Sequence, residues 1–350
     1  MGALPMPAII VLGRRWLFVI MLSLMAWSPS AAALADGSAV VLMYHRFAEG
    51  KYPSTNTTVE QLDAHIAELL SGPYTVLPLP EIIERTLNGP PLLDRTIGIS
   101  IDDAYRSVYT VAWPRFKAAG LPFTVFVATS HVDRGSSVHM TWDHLRDLAA
   151  DGVSIGHHTV SHHHMATASP ERNRKELSQA FQRLGDELGQ RPKLFAYPYG
   201  EAGVAVSQLI EDTGFQAAFG QHSGVIGSVG DMFYLPRFAM NEKYGGIERF
   251  RLAVNALPIP VTDMTPLDHV ISDPNPPAMG FTIHENIGDL GQLACFVSHA
   301  GRANLERLGP NRIEVRIAAA FPIGRSRLNC TLPAGKGRWR WLGRQFYRAP

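Results

Sequence analysis

Between Ala39 and Phe219 the chain repeats one unit: a short apolar, β-branched run, then a stretch whose apolar positions recur at helical spacing. Strands are expected at residues 40–44, 96–101, 123–127, 153–156, 194–196 and 215–219. Helices are expected at 58–70, where Val59, Leu62, Ile66, Leu69 and Leu70 share a face, and at 105–119, 141–150, 169–188 and 204–213. Pro114 predicts a kink in the second helix. Ser169 and Pro170 suit the N-cap and first position of the fourth. Alternating strand–helix units predict a parallel sheet covered by helices, either open or closed as a barrel. Such folds place their reactive groups at the carboxyl ends of strands.

The chemically suggestive residues fall at such ends: His45, Asp102 with Asp103, a histidine cluster, and Pro198-Tyr199-Gly200. Two adjacent carboxylates at a strand end can divide labour where the chain turns, one binding a metal and the other acting as a base; a solvated acidic turn is the plainer reading. His157, His158, His162, His163 and His164 form the cluster. On a helical turn, His158 and His162 would share a face four residues apart, a spacing used in two-histidine metal sites. Imidazole suits Zn, Ni, Fe and Cu, and one carboxylate completes a three-ligand set with open positions. A surface histidine run is the alternative. The Pro-Tyr-Gly turn could offer the Tyr199 N–H to an oxyanion or be a turn and nothing more.

The texture changes near Asn255. Proline-rich stretches at 257–260 and 273–277 read as a linker. The short runs at 279–283, 293–298, 312–318, 326–331 and 338–346 read as strands of a small antiparallel sandwich. The expected division is therefore 1–35, 36–256 and 257–350. The first segment has the form of an export signal: Arg14 and Arg15, an apolar run from Trp16 to Trp27, and small residues through Ala33-Leu34-Ala35, with cleavage expected before Asp36. An uncleaved anchor is the other reading, and the destination is periplasmic or secreted. In that oxidising setting Cys295 and Cys330 are expected to pair, worth roughly 3–4 kcal/mol by loop closure; two buried thiols are the alternative.

The 32 basic and 31 acidic residues give a formal charge of +1, which argues against a general nucleic-acid binder, and the ample apolar content argues against disorder. The balance hides an asymmetry: residues 301–350 carry eleven Lys or Arg against Glu306 and Glu314. Arg338-Trp339-Arg340-Trp341 alternates as a strand with a basic and an aromatic face would. Such a face would suit an anionic or glycan polymer or an envelope protein partner; inward-packed tryptophans with solvated arginines are the plainer reading.

Ser100-Ile101-Asp102-Asp103-Ala104, Gly156-His157-His158-Thr159-Val160-Ser161-His162 and Phe195-Ala196-Tyr197-Pro198-Tyr199-Gly200, in this order and each after a strand, resemble the first three motifs of the polysaccharide deacetylases, the NodB-like or carbohydrate esterase 4 family. The resemblance covers about residues 38–256. It implies a distorted (β/α) barrel that removes acetyl groups from N-acetylated sugars with a divalent metal, most simply Zn2+, with Ni2+, Co2+, Fe2+ or Mn2+ as alternatives. It implies Asp102 as general base, Asp103, His158 and His162 as metal ligands, Tyr199 as backbone oxyanion donor, and Pro198 and Tyr199 against the substrate.

The departures from the pattern matter. The Gly expected after the two aspartates is Ala104, strained by about 1 kcal/mol if φ is positive there. The Arg expected two residues before Pro198 is Ala196; Arg237 is the candidate replacement to orient the base, with a structural ion pair as the alternative. No late Leu-x-His motif is visible. His45, at the end of the first strand, resembles the histidine of the permuted branch that includes poly-β-1,6-N-acetylglucosamine deacetylases, and is the expected general acid, with His222 the weaker alternative. The resulting expectation is an exported, metal-dependent de-N-acetylase of a polysaccharide or cell-envelope glycan. A glycan-binding protein on a degenerate enzyme fold, and a hydrolase of a non-sugar C–N amide bond, are the competing functions.

Overall fold

The computed structural model describes residues 1–4 and 37–350. The expected export signal lies outside the described residues. Among the described residues, no helix is long and apolar enough to cross a membrane.

The strand–helix repeat builds a parallel sheet. Its order is Phe238–Ala239, Ala39–Tyr44, Thr96–Asp102, Thr124–Val127, Ser154–His157, Leu194–Ala196 and Ala217–Phe219, with Thr75–Val76 beside Thr96–Asp102. Every one of these pairings is parallel. The seven strands curl round an axis into the half-barrel of the NodB-like fold. A parallel bridge between Phe219 and Leu235 extends the curl past its last strand. Because helices cover the sheet, strand residues of both faces are buried: all six of Ala39–Tyr44 and all seven of Thr96–Asp102.

Three local expectations are corrected. The helix expected at 105–119 is a wide π-helical turn, Val108–Ala112, handing over to a short α-helix, Trp113–Ala118. Pro114 lacks an N–H and is accommodated in the first turn of the α segment. Helices Leu79–Leu87 and Ile247–Val254 were not anticipated; the first begins behind Pro78, and its apolar face of Leu79, Ile82 and Ile83 is fully buried. The linker expected at 257–260 is in part a strand, because Leu257–Pro258 pairs parallel with Trp339–Arg348.

The C-terminal strands form two sheets. One runs Leu257–Pro258, Trp339–Arg348, Gly324–Pro333, Ala294–Val297, Gly301–Arg302; the other runs Val261–Thr265, Met279–Ile283, Arg312–Arg316, Asn304–Leu308. Phe281, Ile313 and Val315 of one meet Val297, Leu328 and Phe346 of the other in a shared core. Cys295 and Cys330, directly opposite on neighbouring strands, are joined by a disulfide. The Arg-Trp run lies at a seam. Arg338 bonds both carboxylate oxygens of Asp94 at 2.9 and 3.0 Å, Arg340 donates to the Pro258 carbonyl at 2.9 Å, and Trp341 packs edge-on against Phe238 of the barrel sheet. At Gly343 a Cβ would overlap the Ser223 carbonyl, so this strand tolerates nothing larger there. Residues 37–350 cluster as one compact unit.

Two histidines away from any strand-end cluster are structural. His65 is 1% exposed, held by the Tyr44 hydroxyl at 3.0 Å and the Gly245 carbonyl at 2.7 Å, and stacked on Phe250. Burial pulls its pKa from 6.5 down to about 4, against the Gly245 bond. His222 is 4% exposed, stacked on Tyr234 and facing Arg344, and burial takes it to about 3. Both fold as neutral rings and unfold into water, where they protonate below about 6.5. Their contribution to stability is therefore complete above pH 6.5 and declines as pH falls toward 4 and 3, by up to about 1.4 kcal/mol per pH unit for each ring. Urea unfolding at pH 7.5 and pH 5.0 should show the loss, and His65→Gln should flatten the slope; an unchanged slope refutes the assignment for His65.

Candidate active site

The barrel brings the scattered motifs to one end of the sheet. Asp102 is the last residue of its strand and fully buried. Arg237, also fully buried, reaches it from the segment before Phe238–Ala239 and grips both carboxylate oxygens, Nη1 on Oδ1 at 2.7 Å and Nη2 on Oδ2 at 2.8 Å. The guanidinium is fixed in turn by the Gly220 carbonyl at 2.9 Å and the Ser100 hydroxyl at 3.1 Å. Burial alone would raise the Asp102 pKa, but the Arg237 charge, helped by His158 and His45, outweighs it and holds the carboxyl below its ordinary value.

The chain then turns sharply. Asp103 and Ala104 have φ of 72° and 53°, so the two carboxylates diverge. Asp tolerates this left-handed conformation; Ala104 bears the strain that glycine would avoid.

Opposite them lies the histidine loop. It is not the helical turn expected from the spacing: the strand ends at His157, and Thr159 and His162 take φ of 67° and 54°. The spacing nevertheless brings both imidazoles to Asp103. His158 Nε2 lies 3.5 Å and His162 Nε2 3.3 Å from Asp103 Oδ1. The loop is shaped by Glu176, on the helix Pro170–Leu188, which accepts from the N–H groups of Val160 and Ser161 at 2.9 and 2.8 Å and from the Ser161 hydroxyl at 2.7 Å. His158 Nδ1 donates to the Ala196 carbonyl at 2.6 Å, which turns Nε2 inward. Thus position 196 serves through its backbone. Burial disfavours a charged His158, but the Asp103 and Asp102 carboxylates outweigh it and raise its pKa, whereas burial beside His158 lowers that of His162 to about 3.

Asp103, His158 and His162 present three ligand atoms within 4.8 Å of one another. Asp103 Oδ1 and His158 Nε2 are buried with no hydrogen-bond partner among the described residues. Two converging, desolvated and unsatisfied lone-pair atoms fit a cation better than they fit each other.

The cleft is lined also by His45, Tyr105, His131, Tyr199 and Arg325. His45 Nε2 is 3.9 Å from Asp102 Oδ2. Tyr199 follows buried Pro198 in a tight 3-10 turn, with φ of 60°, its ring stacked on His164 and edge-on to His162. Gly200 shares the strained turn, with φ of 67°, and a Cβ there would lie 2.5 Å from the Gln221 nitrogen. His222 is not part of the cleft lining; it packs on Tyr234. The remaining cluster histidines have other duties. His157 bonds the Leu177 carbonyl at 3.1 Å, His163 bonds Asn173 at 2.7 Å, and His164 bonds Glu201 at 2.7 Å. Glu176, His131 and Arg325 were missed. His131 follows the strand Thr124–Val127 closely enough for the strand-end rule to have found it; the other two have no local signal.

Residues 90–218 match the polysaccharide deacetylase family model. That span holds Asp102, Asp103, His158, His162 and Tyr199, but neither His45 nor Arg237. YxkH of Bacillus subtilis is 24% identical over 207 residues, covering 59% of this chain and 72% of the other. A Staphylococcus aureus poly-β-1,6-N-acetyl-D-glucosamine N-deacetylase is 22% identical over 241 residues, 61% of this chain and 83% of its own length. The solved structure of the Streptococcus pyogenes deacetylase PplD, in complex with acetate, superposes with a TM-score of 0.58 at 20% identity, covering 63% of this chain and 99% of that one. The matched family model, the half-barrel and the motifs at its strand ends agree: residues 90–218 carry a polysaccharide deacetylase domain.

Proposed function

We propose that this chain is an exported, metal-dependent hydrolase that removes N-acetyl groups from a polysaccharide or cell-envelope glycan. In this reading residues 36–256 are the catalytic part and residues 257–350 a C-terminal module. The observation that carries it is the pair of unsatisfied buried ligand atoms, Asp103 Oδ1 and His158 Nε2, beside an arginine-locked carboxylate in an open cleft. A named S. aureus relative deacetylates poly-β-1,6-N-acetyl-D-glucosamine, which supports an amide of an amino sugar over a non-sugar amide.

Asp103, His158 and His162 would hold the ion, Zn2+ being the first expectation for two imidazoles and one carboxylate. When bound there, a divalent cation supplies Lewis-acid polarisation of the acetamide carbonyl and a lowered pKa for water. The protein's own residues do the rest. Asp102, kept ionised by Arg237, accepts the proton of the attacking water. The Tyr199 N–H, offered by a strained turn, donates to the oxygen that gains charge in the tetrahedral state. His45, across from Asp102, protonates the departing amine. Tyr199 and Pro198 form the wall against the sugar.

The test is acetate release from N-acetylglucosamine oligomers by the Zn2+-loaded protein. Steady turnover is expected, lost on chelation and restored by re-addition of the ion. Binding of the oligomers with no acetate released under any divalent metal would replace the enzyme reading with a glycan-binding one.

A further inference from the structure

We propose that Arg325, delivered by the C-terminal sheet, makes this cleft selective for a glycan that carries a carboxylate beside the N-acetylated sugar. The inference rests on the deacetylase reading and deepens it by naming a substrate class.

Arg325 belongs to the strand Gly324–Pro333, far in sequence from the motifs, yet it lines the same cleft as His45, Asp103, His162 and Tyr199. It is the one permanently charged cation among the described residues lining that cleft. Its guanidinium carbon lies 5.4 Å from the centre of the Tyr199 ring, which itself touches the ligand His162. Any sugar seated over Tyr199 therefore has this charge within reach.

The charge is poorly spent inside the protein. The nearest carboxylate, Glu201, lies 3.7 Å from Arg325 Nε, beyond hydrogen-bond length, and its other oxygen is held by His164 at 2.7 Å. The two terminal nitrogens have no hydrogen-bond partner among the described residues. By contrast Arg237, Arg338 and Arg316 all grip carboxylates at 2.7–2.9 Å. The side chain is 42% exposed while Glu201 is 1% exposed, so the free edge faces the solvent of the cleft. A guanidinium with two unused parallel donors suits a planar carboxylate in bidentate fashion. The placement is also fixed from the C-terminal side: Gln345, on the neighbouring strand, donates to the Tyr199 carbonyl at 2.9 Å.

The experiment compares oligomers of alternating glucuronate and N-acetylglucosamine with the same oligomers after carboxyl reduction to the neutral sugar. The Zn2+-loaded protein should deacetylate the acidic form with kcat/KM at least about tenfold higher, and added salt should narrow the gap. Arg325→Gln should bring the two forms to parity by lowering only the acidic one. Arg325→Lys, which keeps the charge but not the fork, should retain part of the preference. Equal rates for the two forms in the parent protein, or an equal loss on both in Arg325→Gln at unchanged unfolding midpoint, overturn the assignment. Turnover of the neutral form with no preference thus refutes the role of Arg325 alone. No acetate from either form, and none from N-acetylglucosamine oligomers, overturns the deacetylase reading and this inference with it.

Discussion

Asp102→Asn is expected to lower kcat for acetate release by about 10³-fold or more while leaving the metal ligands in place. General-base assistance is worth typically 10²–10⁴-fold, and the amide cannot accept the proton. The substitution changes more than basicity. Arg237 presents Nη1 to Oδ1 and Nη2 to Oδ2, so one guanidinium N–H must face the amide NH2, a donor against a donor. The buried guanidinium also loses its counter-charge, which costs about 3–5 kcal/mol in comparable buried pairs. The variant should therefore be less stable as well as inactive, and the two effects must be read apart. Bound Zn2+ measured on the folded fraction should stay near one equivalent, because Asp103, His158 and His162 are unaltered. His158→Ala should lose activity and bound metal together. An Asp102→Asn protein that is folded, metal-loaded and still turns over near the parent rate removes the base from the proposed mechanism.

The fold was legible in the sequence wherever a single periodicity acted alone. Apolar runs such as Thr96–Asp102 are buried on both faces, and a chain of such runs has a parallel sheet as its natural outcome. Legibility failed where tertiary contact set the local structure. The short strand Leu257–Pro258 exists because Trp339–Arg348 passes beside it, and two prolines in four residues look like a linker until that partner is present. The turn at 158–162 illustrates the same limit inside the site. The four-residue spacing of His158 and His162 suggested one face of a helix, and the imidazoles do meet, but through left-handed Thr159 and His162 pinned by Glu176 from a distant helix. Residue identities at strand ends can be read locally. The partners that orient them, Glu176 for the histidine loop and Gln345 for Tyr199, come from elements whose approach no local pattern encodes. Arg325 is the extreme case, a cleft residue contributed by strands outside the family match.

Arg237 provides the second large effect, and it separates a residue that orients the base from one that only braces the barrel. Arg237→Met is expected to destabilise the protein by about 3–5 kcal/mol, since the Asp102 carboxylate is left fully buried and uncompensated. With the arginine gone, burial is opposed only by the His158 and His45 charges, so the Asp102 pKa is expected to rise. The sign follows directly. In the parent, the stability that Asp102 contributes is complete above the ordinary carboxylate pKa of 3.8 and is lost only as pH falls through a still lower value. In Arg237→Met the folded-state pKa is higher than in the parent, so the variant's stability deficit relative to the parent shrinks as the pH is lowered. The double variant Asp102→Asn/Arg237→Met, in which neither side chain carries a charge, should be more stable than the sum of the two single losses predicts, with a coupling in the 0.5–3 kcal/mol range or larger. Stability alone would fit a brace. The discriminating readout is Arg237→Lys, which restores the charge without the bidentate fork. If the arginine positions the base, Arg237→Lys recovers much of the unfolding free energy but leaves kcat depressed with KM little changed, because an ionised Asp102 is then present but misaligned. If Arg237→Lys recovers stability and kcat in step, the guanidinium serves the fold and its geometry is irrelevant to proton transfer.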